Sequence, residues 1–155
     1  MRQNRVVFLF WLSVLACVNT ACGLSYTMQK PDRFAHFHRN RTMLDYISAE
    51  GLRLQAWTVE NEPKGNAEMW MRIVDLSLTD AGYHRLVNKN ISGANIDDGI
   101  YAEYAYHFHA EDHRYSVALF TDDTRIYVVE SGGTKTDFEK HRAAILTAIS
   151  TFTVR

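Results

Sequence analysis

Residues 99–152 constrain the fold more than any other stretch, because they alternate over three consecutive runs and then change period. In the first run Ile100, Ala102, Tyr104, Tyr106 and Phe108 fall on one side of an extended chain. Tyr101, Glu103, Ala105, His107 and His109 fall on the other. Residues 114–121 and 124–131 are rich in aromatic and β-branched side chains, as strands are. With Asp122-Asp123 as a two-residue turn, Leu119 stands opposite Ile126 and Val117 opposite Val128. With Ala110-Glu111-Asp112-His113 as a four-residue loop, Phe108 stands opposite Tyr115, Tyr106 opposite Val117 and Tyr104 opposite Leu119. Both hairpins then predict one core face: Tyr104, Tyr106, Phe108, Tyr115, Val117, Leu119, Ile126 and Val128, with Glu130 at its margin. The reverse face mixes Phe120, Tyr127 and Val129 with charged residues, and its small Ala105 and Ala118 leave room for a second helix. Gly132-Gly133 is expected to end the last strand, and Thr136-Asp137-Phe138-Glu139 reads as a capping box. Phe138, Ile145, Ala148, Ile149 and Phe152 follow at helical spacing, so an amphipathic helix is expected to seal the meander.

The preceding chain supplies further strands and one more helix. Residues 24–41 are polar and aromatic without clear periodicity and read as a tether leading into an edge segment. Residues 42–59 predict a hairpin around Ala49-Glu50-Gly51, with Leu44 facing Ala56, Tyr46 facing Leu54 and Asp45 facing Gln55. Residues 67–78 predict a helix, with Trp70, Ile73, Val74, Ser77, Leu78 and Ala81 as its stripe and Gly82 as its C-terminal cap. A strand over 83–91 and an exposed turn over 92–99 complete the order. Runs of strands between two helices predict an α+β fold: an antiparallel β-sheet of about six strands flanked by helices on both faces.

Residues 1–16 stand apart. Arg2 and Arg5 precede an apolar run of 11 residues, 6–16, shorter than the ~20 a bilayer span needs, which is the pattern of an export signal. The run ends in Val14-Leu15-Ala16-Cys17, which is similar to a bacterial lipobox whose cysteine is acylated after cleavage. Cys22, after Asn19-Thr20-Ala21, is the alternative, and simple secretion after Ala16 or Gly23 is the other possibility. The chain therefore divides into a signal peptide, 1–16, a tether and N-terminal segment, 17–41, and one globular domain, 42–155. No other cysteine occurs, so no disulfide framework forms inside the domain. Removing residues 1–16 takes away two arginines and no acid, leaving 15 Lys and Arg against 18 Asp and Glu, a net charge of −3. Such a domain is not drawn to an anionic membrane by charge, so membrane residence would come from the lipid. With no basic run, nucleic acid is not an expected partner.

Gly82-Tyr83, Gly99 followed by Tyr101 and Glu103-Tyr104, then Ile126-Tyr127-Val128-Val129-Glu130-Ser131-Gly132-Gly133 and the helix with Phe138 and Ile149 resemble the PsbP-like fold over residues 42–154. That resemblance implies an antiparallel sheet between helices. It also implies a non-enzymatic module, like the small exported or lipid-anchored bacterial members of the DcrB kind. Other members serve as an accessory subunit of photosystem II or as a Ran-binding factor, so fold alone selects no function. No cofactor is expected.

His107 and His109 share a strand face beside Glu111, Asp112 and His113, a donor set that zinc or copper would recruit. The expected register puts Arg114 opposite His109, where a cation would sit, and His36 and His38 would join only if their segment folds back. Solvated histidines are the plainer reading. Gly132-Gly133-Thr134-Lys135-Thr136 opens a helix and would suit an anion, but Asp137 and Glu139 already complement that helix end. No Gly-x-Ser-x-Gly or His-Glu-x-x-His occurs, so no catalytic residue is assigned and the chain is not expected to be an enzyme. Trp57, Trp70, Tyr101 and Tyr127 read as core under a second layer; exposed together, they would mark a binding surface. The expected function is that of an exported, lipid-anchored envelope protein, on the periplasmic side, which binds a protein partner without performing chemistry. The alternatives are a periplasmic metal-binding protein using His107, His109 and His113, and an inhibitor or immunity protein against an envelope toxin.

Overall fold

The computed structural model describes residues 24–37 and 42–155; the expected export signal, Cys17, Cys22 and His38 lie outside the described residues. The chain runs through β1 (Tyr26–Thr27), β2 (Phe34–His36), β3 (Leu44–Ser48), β4 (Arg53–Glu60), α1 (Ala67–Asp80), β5 (His84–Ile91), β6 (Gly99–Phe108), β7 (Glu111–Thr121), β8 (Arg125–Thr134), α2 (Lys135–Ser150) and β9 (Thr153–Val154). Seven strands make one antiparallel sheet in the order β2-β3-β4-β8-β7-β6-β5, and β1 pairs with β9 in a second, two-stranded one. The α+β class and the helices on both faces are as expected, with one more strand in the main sheet.

Where a turn residue announces itself, the register is the expected one. Gly51 takes φ +92°, and the β3–β4 hairpin pairs Leu44 with Ala56, Asp45 with Gln55 and Tyr46 with Leu54. The other two hairpins pair differently. In β6–β7 the turn is His109-Ala110, both with positive φ, so Phe108 meets Glu111, Tyr106 meets His113 and Tyr104 meets Tyr115. In β7–β8 the Asp122 carboxylate accepts the N–H groups of Thr124 and Arg125 at 2.7 and 2.8 Å, which lengthens the turn and pairs Leu119 with Val128. These shifts are four and two residues. Even shifts preserve side-chain parity, so the predicted faces hold although the partners change.

The two faces do different work from the expectation. Ile100, Ala102, Tyr104, Val117, Leu119, Ile126 and Val128 pack under α1, with Ala67, Met71, Trp70, Val74 and Leu78 as its contact stripe. Ile73, on the expected stripe, is instead exposed. The last helix seals the reverse face: Phe138, Ile145, Ala148 and Ile149 of α2 cover Tyr101, Ala118, Phe120, Tyr127 and Val129. That face read as mixed because its charges lie in its strands, but they sit at its ends or are paired. Glu103, 3% exposed, takes two hydrogen bonds from the Arg142 guanidinium of α2 and one from the Tyr101 hydroxyl at 2.6 Å.

Two boundaries also move. Strand β8 continues through Gly132-Gly133, and Thr134 rather than Thr136 caps α2 by accepting the Asp137 N–H. The folded unit begins before residue 42, because Tyr26, Met28 and Phe34 are buried. Tyr26 stacks on Phe152, ring centroids 5.5 Å apart, and donates its hydroxyl to the Ala56 carbonyl at 2.5 Å. The Arg155 N–H reaches the Ser25 carbonyl at 2.8 Å, and the Asn95 side chain both donates to and accepts from the Val154 backbone. First and last strands thus close one corner of the domain.

A pH dependence follows from the tip of the β3–β4 hairpin. The Glu50 carboxylate takes hydrogen bonds from Lys140 and from buried His141, at 2.9 Å, and these hold its pKa well below the usual 4.5. A depressed carboxylate pKa adds stability that is complete above the unfolded value and is lost as pH falls through the folded one. The melting temperature of Glu50→Gln is therefore expected to lie below wild type at pH 7, with the gap closing below pH 4.5; a constant gap would refute the pairing.

Candidate functional site

Helix α1 ends early for a definable reason. Gly82 takes φ +88°, its N–H bonds the Thr79 carbonyl and the Tyr83 N–H bonds the Leu78 carbonyl, the two bonds of a Schellman stop. Strands β6 and β7 continue past that stop, so the far end of the α1 face has no helix over it. Tyr106 and Phe108, expected in the core, therefore surface here, and Phe108 is 50% exposed.

The chain leaving the helix turns back onto them. Tyr83 stacks on Tyr106, with centroids 4.4 Å apart and planes 15° apart. Tyr106 and Phe108 lie nearly parallel at 6.1 Å, and His109 stands edge-on to Phe108 at 4.0 Å. Opposite this ladder β7 contributes His113 and Tyr115, and β8 contributes Gly132. Together they line an open groove of about 250 Å³. A Cβ on Gly132 would stand 3.2 Å from the Tyr115 ring, and one on Gly133 would stand 2.7 Å from Leu52 on the other face, so the glycine pair lets side chains close in from both sides.

The polar groups in the groove are anchored. Tyr115 donates to Glu130 at 2.5 Å, Trp57 donates to the same carboxylate at 3.3 Å, and burial with that carboxylate pushes the Tyr115 hydroxyl above its usual range. The turn at the groove's rim is strained, because His109 and Ala110 have φ of +48° and +65° where glycine or asparagine is usual. Flat rings, anchored phenols and an open end suit binding through contact area.

The predicted metal donors do not converge. His107 and Asp112 pair on one side of the sheet, Nδ1 to Oδ1 at 3.0 Å, and this hydrogen bond holds the Asp112 carboxyl below its usual range. His113, paired with Tyr106, points to the other side, and His109 sits in the turn. Arg114 lies opposite Ala105 rather than His109, and His36 packs on Tyr46 in β3. Among the described residues no three His, Cys, Asp or Glu gather to hold a metal ion. Trp57 and Trp70 are half-buried, Trp70 donating to Asn61 at 2.8 Å, while Tyr101 and Tyr127 are buried. The aromatic surface is thus made of other residues than those four. The signal for it lay in the helix stop at Gly82-Tyr83, which leaves the last two aromatic positions of β6 without cover.

No family model and no curated protein matches the chain. Solved structures do. LpqN of Mycobacterium tuberculosis, described as involved in cell envelope biogenesis, superposes with a TM-score of 0.68 at 6% identity, over 83% of this chain and 82% of that one. A Pseudomonas aeruginosa protein of unknown function gives 0.58 at 11% identity, over 84% and 97%. The cyanobacterial PsbP of Synechocystis gives 0.54 at 10% identity, over 84% and 87%. The fold is PsbP-like. At such identities the likeness concerns the fold alone.

Proposed function

We propose that this protein is an exported envelope module, acylated at Cys17 with Cys22 as the alternative, that binds a protein partner through the aromatic groove and performs no chemistry. The observation that carries the reading is the ladder of Tyr83, Tyr106 and Phe108, which ends in a ring half open to solvent. Aromatic rings held rigidly at a surface supply contact area at low entropic cost, which is why they recur as binding anchors. The leader and the following cysteine support export and anchoring, and among the described residues no helix is long and apolar enough to cross a membrane. The envelope role described for LpqN is consistent with this reading.

Two measurements test it. Labelled palmitate is expected to enter the protein in a globomycin-sensitive manner and to be lost in Cys17→Ser; label retained there and lost in Cys22→Ser would move the anchor. Affinity capture from envelope extracts is expected to lose its specific partner in Phe108→Ala, while the unfolding free energy changes by no more than about 0.5 kcal/mol, as for other exposed positions. Unchanged capture by Phe108→Ala and by Tyr106→Ala would remove the groove from the proposal.

A further inference from the structure

We propose that the domain meets the lipid surface with the corner formed by β1, β9 and the 92–98 loop, and that the aromatic groove faces away from the bilayer. The inference rests on acylation at Cys17 and adds an orientation to it. Seven residues, 17–23, separate the start of the acylated chain from Leu24, and fully extended they reach about 25 Å. Leu24 packs on the α2-side core, and Ser25 is tied to Arg155. From there Tyr26 stacks on Phe152, Phe152 stacks on Phe120 at 4.8 Å, and Phe120 pairs with Gly99, the first residue of β6. The Ala94 N–H bonds the Phe152 carbonyl, placing the 92–98 loop at the same corner.

The groove lies at the other end of that strand. Gly99 and Phe108 are the two ends of the ten-residue β6, roughly 30 Å apart at 3.3 Å per residue step. Turning the domain over would require the tether to run from its attachment down the full length of the sheet, farther than it reaches. The side chains of the corner carry Asp97 and Asp98 against Arg155, which gives no attraction to an anionic surface, so tether length rather than charge sets the orientation.

The test uses the mature acylated protein, in a Cys22→Ser background, inserted into phosphatidylethanolamine–phosphatidylglycerol vesicles. A fluorophore is placed at Ala94→Cys or at Glu111→Cys, and quenching by a headgroup nitroxide lipid is read. Loss of most of the emission at position 94 and little at 111 is expected, and a Gly-Ser insert after Gly23 should shrink that difference. Equal quenching at both positions, or stronger quenching at 111, overturns the orientation while leaving the anchor intact. Failure of the protein to enter vesicles overturns the anchored reading, and the orientation with it.

Discussion

Phe152→Ala is expected to lower the unfolding free energy by about 3–5 kcal/mol, the range for emptying a large aromatic site in a packed core. Urea denaturation followed by circular dichroism reads this as a lower midpoint at unchanged slope. The expectation is near the top of that range because the ring has neighbours on every side: Phe120 stacked at 4.8 Å, Tyr26 stacked at 5.5 Å and Tyr127 edge-on at 5.6 Å. It is fully buried just past the end of α2, where its carbonyl also accepts the Ala94 N–H. Removing the ring takes away the surface on which Tyr26 of β1 stacks. A domain of this size has only about 5–15 kcal/mol in hand, so a fraction of the variant should be unfolded at 37 °C. A loss under about 1 kcal/mol would mean that the stack does not hold the corner.

Arg142→Ala is expected to cost about 2–4 kcal/mol, because it leaves the Glu103 carboxylate buried with only the Tyr101 hydroxyl as partner. Full burial of the pair would put the cost higher, but the Arg142 side chain is 44% exposed, so water reaches one edge. The discriminating measurement is a double-mutant cycle. Arg142→Met combined with Glu103→Met should recover most of what Arg142→Met alone loses, since an apolar pair of similar volume replaces the ion pair. Strictly additive losses would show that the guanidinium and the carboxylate act independently. The same pair explains how a face with a carboxylate at its centre serves as the larger core.

The faces of the sheet were legible in the sequence and its pairings only in part, for the same reason. Side-chain parity is carried by every residue of a strand, so Tyr104, Val117 and Val128 sort correctly whatever the register. Pairing is decided by a few turn residues. Gly51 declares its turn, and the β3–β4 register is read correctly. His109-Ala110 adopts a glycine-type turn without glycine, and Asp122 extends its turn by accepting backbone N–H groups at its carboxylate, neither of which composition reveals. Two-residue strands such as β1 are too short to show alternation, so the burial of Tyr26 and Met28 was not visible. The groove was missed because helix coverage is a tertiary quantity: alternation marks Tyr106 and Phe108 as one face with Tyr104, but not that α1 stops short of them. The placement of the histidines was not legible because the turn is His109-Ala110, which draws His113 into β7 opposite Tyr106, on the other side of the sheet from His107.

The closure of the first strand on the last has a consequence for biogenesis. Tyr26 and Phe152 complete one another's packing across 126 positions of sequence, and the Ser25–Arg155 bond spans still more. A nascent or translocating chain therefore lacks the seal of its larger core until its final segment has emerged. Long-range closure of this kind slows folding. Were the chain exported as proposed above, that delay would keep the polypeptide threadable until passage is finished, to be closed from both ends at once.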